Sequence, residues 1–195
     1  GLPKQSAKTA YFPRSEPILC MNRTGKDWSL EDPKLDFPPT VLYGLRPCDA
    51  AAPDLLGPLF GWDFHDPFFE GRVKKITRVV VGCSGPVDKA CFCSSVGVDP
   101  AGEGVGDVLL TPLADGSFAA EAYTNAGVKA LEALPAELRK AADSLPAPAA
   151  EARTKARAAV PTSFDPAAVR EALGRRFEDP LWEKAARACM ACGTC

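Results

Sequence analysis

Two stretches of the chain are apolar without the three-and-four spacing of a surface helix. Residues 40–45 carry Val41, Leu42, Tyr43 and Leu45, and residues 76–82 carry Ile76, Val79, Val80 and Val81. Their β-branched and aromatic content predicts two buried strands. Between them, residues 48–60 have helical composition, with Pro47 and Asp49 near the start, where a helix accepts proline and favours an acid. A strand, a helix and a second strand at this separation predict a parallel β-α-β unit.

Residues 106–110 and 117–123 flank the turn-forming Ala114, Asp115 and Gly116, which predicts a further strand with a hairpin partner. The expected fold class is therefore α/β (α+β), a mixed sheet with a parallel β-α-β core and flanking helices. From 125 to about 159 the chain turns to Ala, Leu, Glu, Lys and Arg, and Pro135, Pro146 and Pro148 cut that stretch into helices. The Ala and Pro bias of residues 141–161 predicts an exposed linker. Asp165 before Pro166 and Asp179 before Pro180 each place a capping acid ahead of a first-turn proline and predict two more helices. The division expected is a polar, Pro-rich lead-in that packs on something else (1–38), an α/β domain (39–125), a helical arm (126–180) and the start of another module (181–195).

Composition narrows the classes. With 195 residues, 46% of them hydrophobic, the chain can bury an ordinary core, and a net charge of -2 offers no basic face for a phosphate backbone. Nucleic acid is an unexpected partner. No stretch approaches the roughly 20 apolar residues of a membrane span, and the N-terminus lacks the layout of a signal peptide. A cytoplasmic setting is expected. The chain starts at Gly1 and stops inside a cysteine motif, which reads as a segment of a longer polypeptide.

The eight cysteines change the picture most, because they are clustered. Secreted disulfide scaffolds spread their cysteines; crowded thiols in a reducing compartment point to metal. If the two central strands are parallel, Cys48 and Cys83 follow the carboxyl ends of neighbouring strands, the edge where open α/β sheets hold ligands. Cys48 would also stand at a helix start, where the dipole favours a thiolate by about 0.3–1 kcal/mol. Cys91 and Cys93, two residues apart, would point the same way in an extended segment and grip one centre. Gly82, Gly85, Pro86 and Gly97 keep the loop irregular, which leaves N–H groups to face sulfur. Four thiolates suit either an iron–sulfur cluster or a structural zinc, and the spacing here lacks the paired knuckles usual for zinc. A cluster with an open corner, acting as a Lewis acid in an enzyme, is a further alternative.

Cys189, Cys192 and Cys195 follow the C-x2-C-x2-C spacing of ferredoxin-type sites, whose fourth cysteine would lie beyond residue 195. Cys20 reads as an inert, buried thiol. His65, the single histidine, reads as a surface or hydrogen-bonded side chain. Arg46 could bring positive charge to the cluster or form an ordinary salt bridge at the sheet edge.

Several of these residues together resemble one family. Gly44-Leu45-Arg46-Pro47-Cys48-Asp49-Ala50, Asp66-Pro67-Phe68-Phe69-Glu70-Gly71-Arg72, Gly82-Cys83 and Cys91-Phe92-Cys93-Ser94-Ser95-Val96-Gly97 resemble the iron–sulfur β subunits of cytoplasmic nickel–iron hydrogenases of the sulfhydrogenase type. The A subunit of anaerobic sulfite reductase is similar too, and Tyr11 to Pro17 and the terminal cysteines fit the same pattern. The resemblance implies 4Fe-4S clusters, one held by Cys48, Cys83, Cys91 and Cys93 and others in a dicluster ferredoxin module opened by Cys189, Cys192 and Cys195. It further implies a hetero-oligomer in which the chain relays electrons between a flavin- or NAD(P)-binding subunit and a catalytic subunit, without substrate chemistry of its own.

Overall fold

The computed structural model describes residues 6–138 and 146–190. The N-terminal stretch is more structured than its polar composition predicts. A short helix, α1 (Lys8–Tyr11), precedes an antiparallel hairpin of β1 (Cys20–Thr24) and β2 (Asp27–Glu31). Register pairs Met21 with Leu30 and Arg23 with Trp28 on one face, where Arg23 lies 5.2 Å from the Trp28 ring.

The main sheet has the order β3-β4-β5-β6, with β3 (Thr40–Leu45), β4 (Ile76–Val81), β5 (Val108–Pro112) and β6 (Phe118–Ala122). β3, β4 and β5 run parallel and β6 returns antiparallel. The fold is thus a mixed α/β sheet with parallel strands, as the periodicity predicts. Parallel neighbours need long crossovers. The first is made by α2 (Pro47–Phe60) and α3 (Pro67–Val73); Asp66 caps α3 by accepting the N–H groups of Phe68 and Phe69 at 2.9 and 3.0 Å. The second crossover, residues 82–107, contains no α-helix, only a 3-10 turn over Cys93–Val96. Three of the predicted ligands lie in this irregular connection.

The buried centre is Leu45, Ala50, Val80 and Leu109, joining β3, α2, β4 and β5. Phe12, Phe60 and Phe69 form a ring cluster with centroids 4.4–5.3 Å apart, which closes α1, α2 and α3 over one another. Asp107 locks the start of β5: it accepts the Arg78 N–H at 2.7 Å and the Thr124 hydroxyl at 2.5 Å. Thr124 in turn caps α4 (Asn125–Glu132) by accepting the Gly127 N–H.

The stretch predicted as an exposed linker is largely a packed helix, α5 (Pro146–Ala159), lying against β5. Ala149 and Ala156, two turns apart, share its buried face, and Pro146 and Pro148 stand in its first turn, where their missing N–H groups cost nothing. Arg153 pairs with Glu121 and Glu103, and Arg157 with Asp99 and Glu103, so α5 is also tied down electrostatically. Then come α6 (Pro166–Gly174), capped by Asp165, and α7 (Leu181–Ala188), whose first N–H is accepted by Asp179. Neither buries a residue. Among the described residues no helix is long and apolar enough to cross a membrane.

Candidate metal centre

Local backbone sets each thiol of the first group. At Gly44, φ is +82°, and the pairing slips so that Tyr43 and Leu45 face the consecutive residues Val79 and Val80. This bulge turns the end of β3 into α2, and Cys48 is the second residue of that helix. Cys83 leaves the end of β4, where its N–H donates to Pro100 O and the preceding Gly82 N–H to Leu110 O, both at 3.0 Å. A Cβ on Gly82 would stand 2.7 Å from Ala101 O, so only glycine permits this approach.

Cys91 and Cys93 do not sit in an extended segment as predicted. Phe92 has φ -136° and ψ 16°, and Cys93 opens the 3-10 turn. Beside this turn the Phe92 ring lies 5.9 Å from that of Phe164. The turn is closed by Ser95 N–H donating to Phe92 O and Val98 N–H to Cys93 O. Ser94 and Ser95, to which the sequence alone assigns no role, bind the segment after α5: Ser94 Oγ donates to Val160 O at 2.6 Å, and Ser95 Oγ lies 3.0 Å from Ser163 Oγ. Their only signal in the sequence is a pair of small hydroxyl side chains directly after the two thiols.

The four thiols are electrostatic neighbours. Burial raises the Cys48 pKa, with Asp49, Cys83 and Cys93 adding to it. Burial also raises the Cys83 pKa, Arg46 opposes it through its positive charge, and Cys93 and Cys91 push it up. The expected gain from the helix start is therefore outweighed at Cys48, although that residue is exposed at the surface as a whole. Asp49 is likewise raised by burial, against the pull of Arg46. Arg46 thus brings positive charge to bear on both Cys83 and Asp49. Cys91 Sγ accepts the Val87 N–H at 3.3 Å, an amide turned toward sulfur in the irregular loop.

Thiols that disfavour one another's thiolate form coexist as thiolates once a cation neutralises them. Among the described residues, no three His, Cys, Asp or Glu side chains close up as the ligands of a single metal ion. Tetrahedral zinc, with Zn–S about 2.3 Å, would draw its sulfurs to about 3.8 Å of one another. A four-iron cluster gives each thiolate its own iron and leaves the sulfurs further apart. Four thiols, one of which accepts the Val87 N–H, are a donor set that either a zinc ion or a four-iron cluster could use.

The other residues stand apart. Cys189 is exposed just past α7, and Cys192 and Cys195 lie outside the described residues. Cys20 is half-buried in β1. His65 is exposed and lies 2.9 Å from Glu70, whose carboxyl is held below the usual range by His65 and Lys74.

Fold and site thus describe an α/β domain with a thiol-lined carboxyl edge. Against known proteins, the chain is 29% identical over 162 residues to the β subunit of sulfhydrogenase 2 from Pyrococcus furiosus. The alignment takes in 80% of this chain and 45% of that protein, so the chain spans under half the length of the curated relative it matches. This likeness supports a relation to hydrogenase β subunits. No protein-family model and no solved structure matches the chain.

Proposed function

We propose that this chain is an iron–sulfur electron-transfer subunit of a cytoplasmic multi-subunit redox complex. It relays electrons between a flavin- or NAD(P)-binding subunit and a catalytic subunit such as a nickel–iron hydrogenase. The observation that supports the reading is that Cys48 and Cys83 follow the carboxyl ends of neighbouring parallel strands, with Cys91 and Cys93 in the loop that Cys83 opens. The likeness to a sulfhydrogenase β subunit supports it independently. These four cysteines would hold a 4Fe-4S cluster, which supplies a one-electron carrier when bound. With a cluster bound, the Val87 N–H at Cys91 and the positive charge of Arg46 near Cys83 would favour the reduced, more negative state. Cys189, Cys192 and Cys195 would open a second, ferredoxin-type site at the end of the helical arm. The boundaries at 38, 125 and 180 are proposed with it.

Anaerobic purification followed by metal and sulfide analysis tests the reading. About four irons and four sulfides per filled site are expected, with a magnetic resonance signal on reduction; zinc without iron would overturn it. Cys93→Ser should lower iron content and alter that signal, whereas Cys20→Ser should do neither. An unchanged Cys93→Ser protein would remove Cys93 from the ligand set.

A further inference from the structure

The turn that carries Cys91 and Cys93 has little support from the sheet. The crossover 82–107 is anchored at its ends by Gly82, Cys83 and Asp107, each bonded to backbone of the sheet or the adjoining loop. In the middle, the bonds that close the turn on itself are local, from Val87 to Cys91, Ser95 to Phe92, Gly97 to Ser94 and Val98 to Cys93. Among the described residues, every hydrogen bond tying residues 91–97 to a distant part of the chain goes to Val160 or Ser163. Ser95 is only 2% exposed, and its hydroxyl is met by both the Ser163 N–H, at 2.8 Å, and the Ser163 hydroxyl. Ser94 donates to Val160 O, a carbonyl left open just past the end of α5. Phe164 adds its ring to Phe92, the residue between the two thiols.

This segment is itself fixed from behind. Val160 is buried, and Arg157, three residues earlier, binds Asp99 through two nitrogens at 3.1 and 2.7 Å and reaches Glu103. Asp99 and Glu103 belong to the same crossover as the thiols. The crossover is thus tied to this segment at two places, at Asp99 and Glu103 by Arg157 and at residues 92–95 by residues 160–164.

We propose that residues 160–164 are the positioning element of the first thiol site, with Ser163 and Phe164 holding Cys91 and Cys93 in ligand geometry. The inference rests on the cluster reading above. Because coupling between two equilibria is reciprocal, a segment that stabilises the ligand conformation must itself be stabilised when the ligands are occupied. Loss of the cluster therefore loosens residues 160–164, the connection between α5 and α6.

The test uses the whole chain purified anaerobically with its iron. Iron release to a ferrous chelator is followed by loss of visible absorbance. Ser163→Ala and Phe164→Ala should each release iron at least tenfold faster than the wild type. Ser163→Thr, which keeps the hydroxyl, should stay within about twofold, and so should Phe177→Ala, which alters an exposed residue of the same arm. In the wild type, removal of iron should speed hydrogen exchange at the Ser163 amide at least tenfold, a response that a merely structural contact would not give. Wild-type protein without iron overturns the cluster reading and this proposal with it. Iron-loaded protein whose release is unchanged in Ser163→Ala and Phe164→Ala, or whose Ser163 amide exchanges equally with and without iron, overturns the proposal alone.

Discussion

The two cysteine groups stand on opposite kinds of structure. Cys48 and Cys83 emerge from strands that flank or form the buried centre, and Val80 and Leu109 beside them are fully enclosed. Cys189 follows two helices that bury nothing, with Phe177 between them 83% exposed. The group with the more regular spacing is reached through helices that bury nothing, and the scattered group includes two thiols, Cys48 and Cys83, that follow the ends of adjacent parallel strands. Spacing along the chain reports which thiols can reach one centre locally, while topology reports which thiols the folding energy brings together. For a site on a parallel sheet the second kind of information counts for more, because its ligands come from separate crossovers.

The largest expected contrast comes from the core. Leu109→Ala empties a fully buried position of β5, in the cluster with Leu45, Ala50 and Val80, and should cost about 3 kcal/mol in urea unfolding. Iron retention at the first site should fall with it. Phe177→Ala, in the arm, should change stability by less than about 0.5 kcal/mol. Equal effects of the two substitutions would mean that the arm is as tightly integrated as the sheet.

The same contrast explains what could be read from the sequence. β3, α2, β4 and the β5–β6 hairpin were legible because their signals are local: β-branched runs, a first-turn proline at Pro47, a turn at Asp115 and Gly116. From the first two strands followed the placement of Cys48 and Cys83 at one edge. The β1–β2 hairpin was not legible because both strands are almost wholly exposed, with Arg23 and Asn22 breaking any apolar alternation. For α5, composition suggested a linker while the two-turn spacing of Ala149 and Ala156 carried the packing. The conformation of Cys91 and Cys93 was hidden too, since the neighbours that Phe92 and Ser95 meet there, Phe164 and Ser163, lie far along the chain. So was the raised pKa of Cys48: a helix start favours the thiolate locally, but burial acts through the tertiary surroundings and prevails.

A backbone comparison gives the next largest effect. Gly44 has φ +82°, so Gly44→Val forces a β-branched residue into the left-handed region and should cost about 2 kcal/mol. The bulge aims the chain at Cys48, so the variant should also bind less iron than its residual stability would explain. Gly174, at the end of α6, has open space where a Cβ would stand and no positive φ. Gly174→Ala should therefore be neutral or stabilising by up to about 1 kcal/mol, through a less flexible unfolded chain. Denaturant midpoints compare the pair, and a Gly44→Val protein with unchanged midpoint and iron content would show that the bulge does not set the site.

The smallest expected effect separates an ion pair within the cluster loop from one on the arm. Burial opposes charge on Asp99, but the Arg157 guanidinium and the Ala101 N–H prevail and hold its carboxyl below the ordinary value of 3.8. A folded-state value below the unfolded one means that the pairing stabilises above about pH 4 and that this contribution is lost as pH falls through the folded value. The pair is partly exposed, so screening keeps its worth to about 1 kcal/mol. Asp99→Asn should lose about that much at neutral pH and show a shallower fall in stability than the wild type between about pH 5 and pH 3. Glu183→Gln, which breaks the Glu183–Arg187 pair at 2.6 Å on α7, should cost only about 0.3–0.5 kcal/mol. If the two substitutions flatten the acid side of the stability profile equally, the loop that carries the thiols has no electrostatic anchoring beyond that of an exposed helix, and the contrast between the two regions reduces to apolar packing alone.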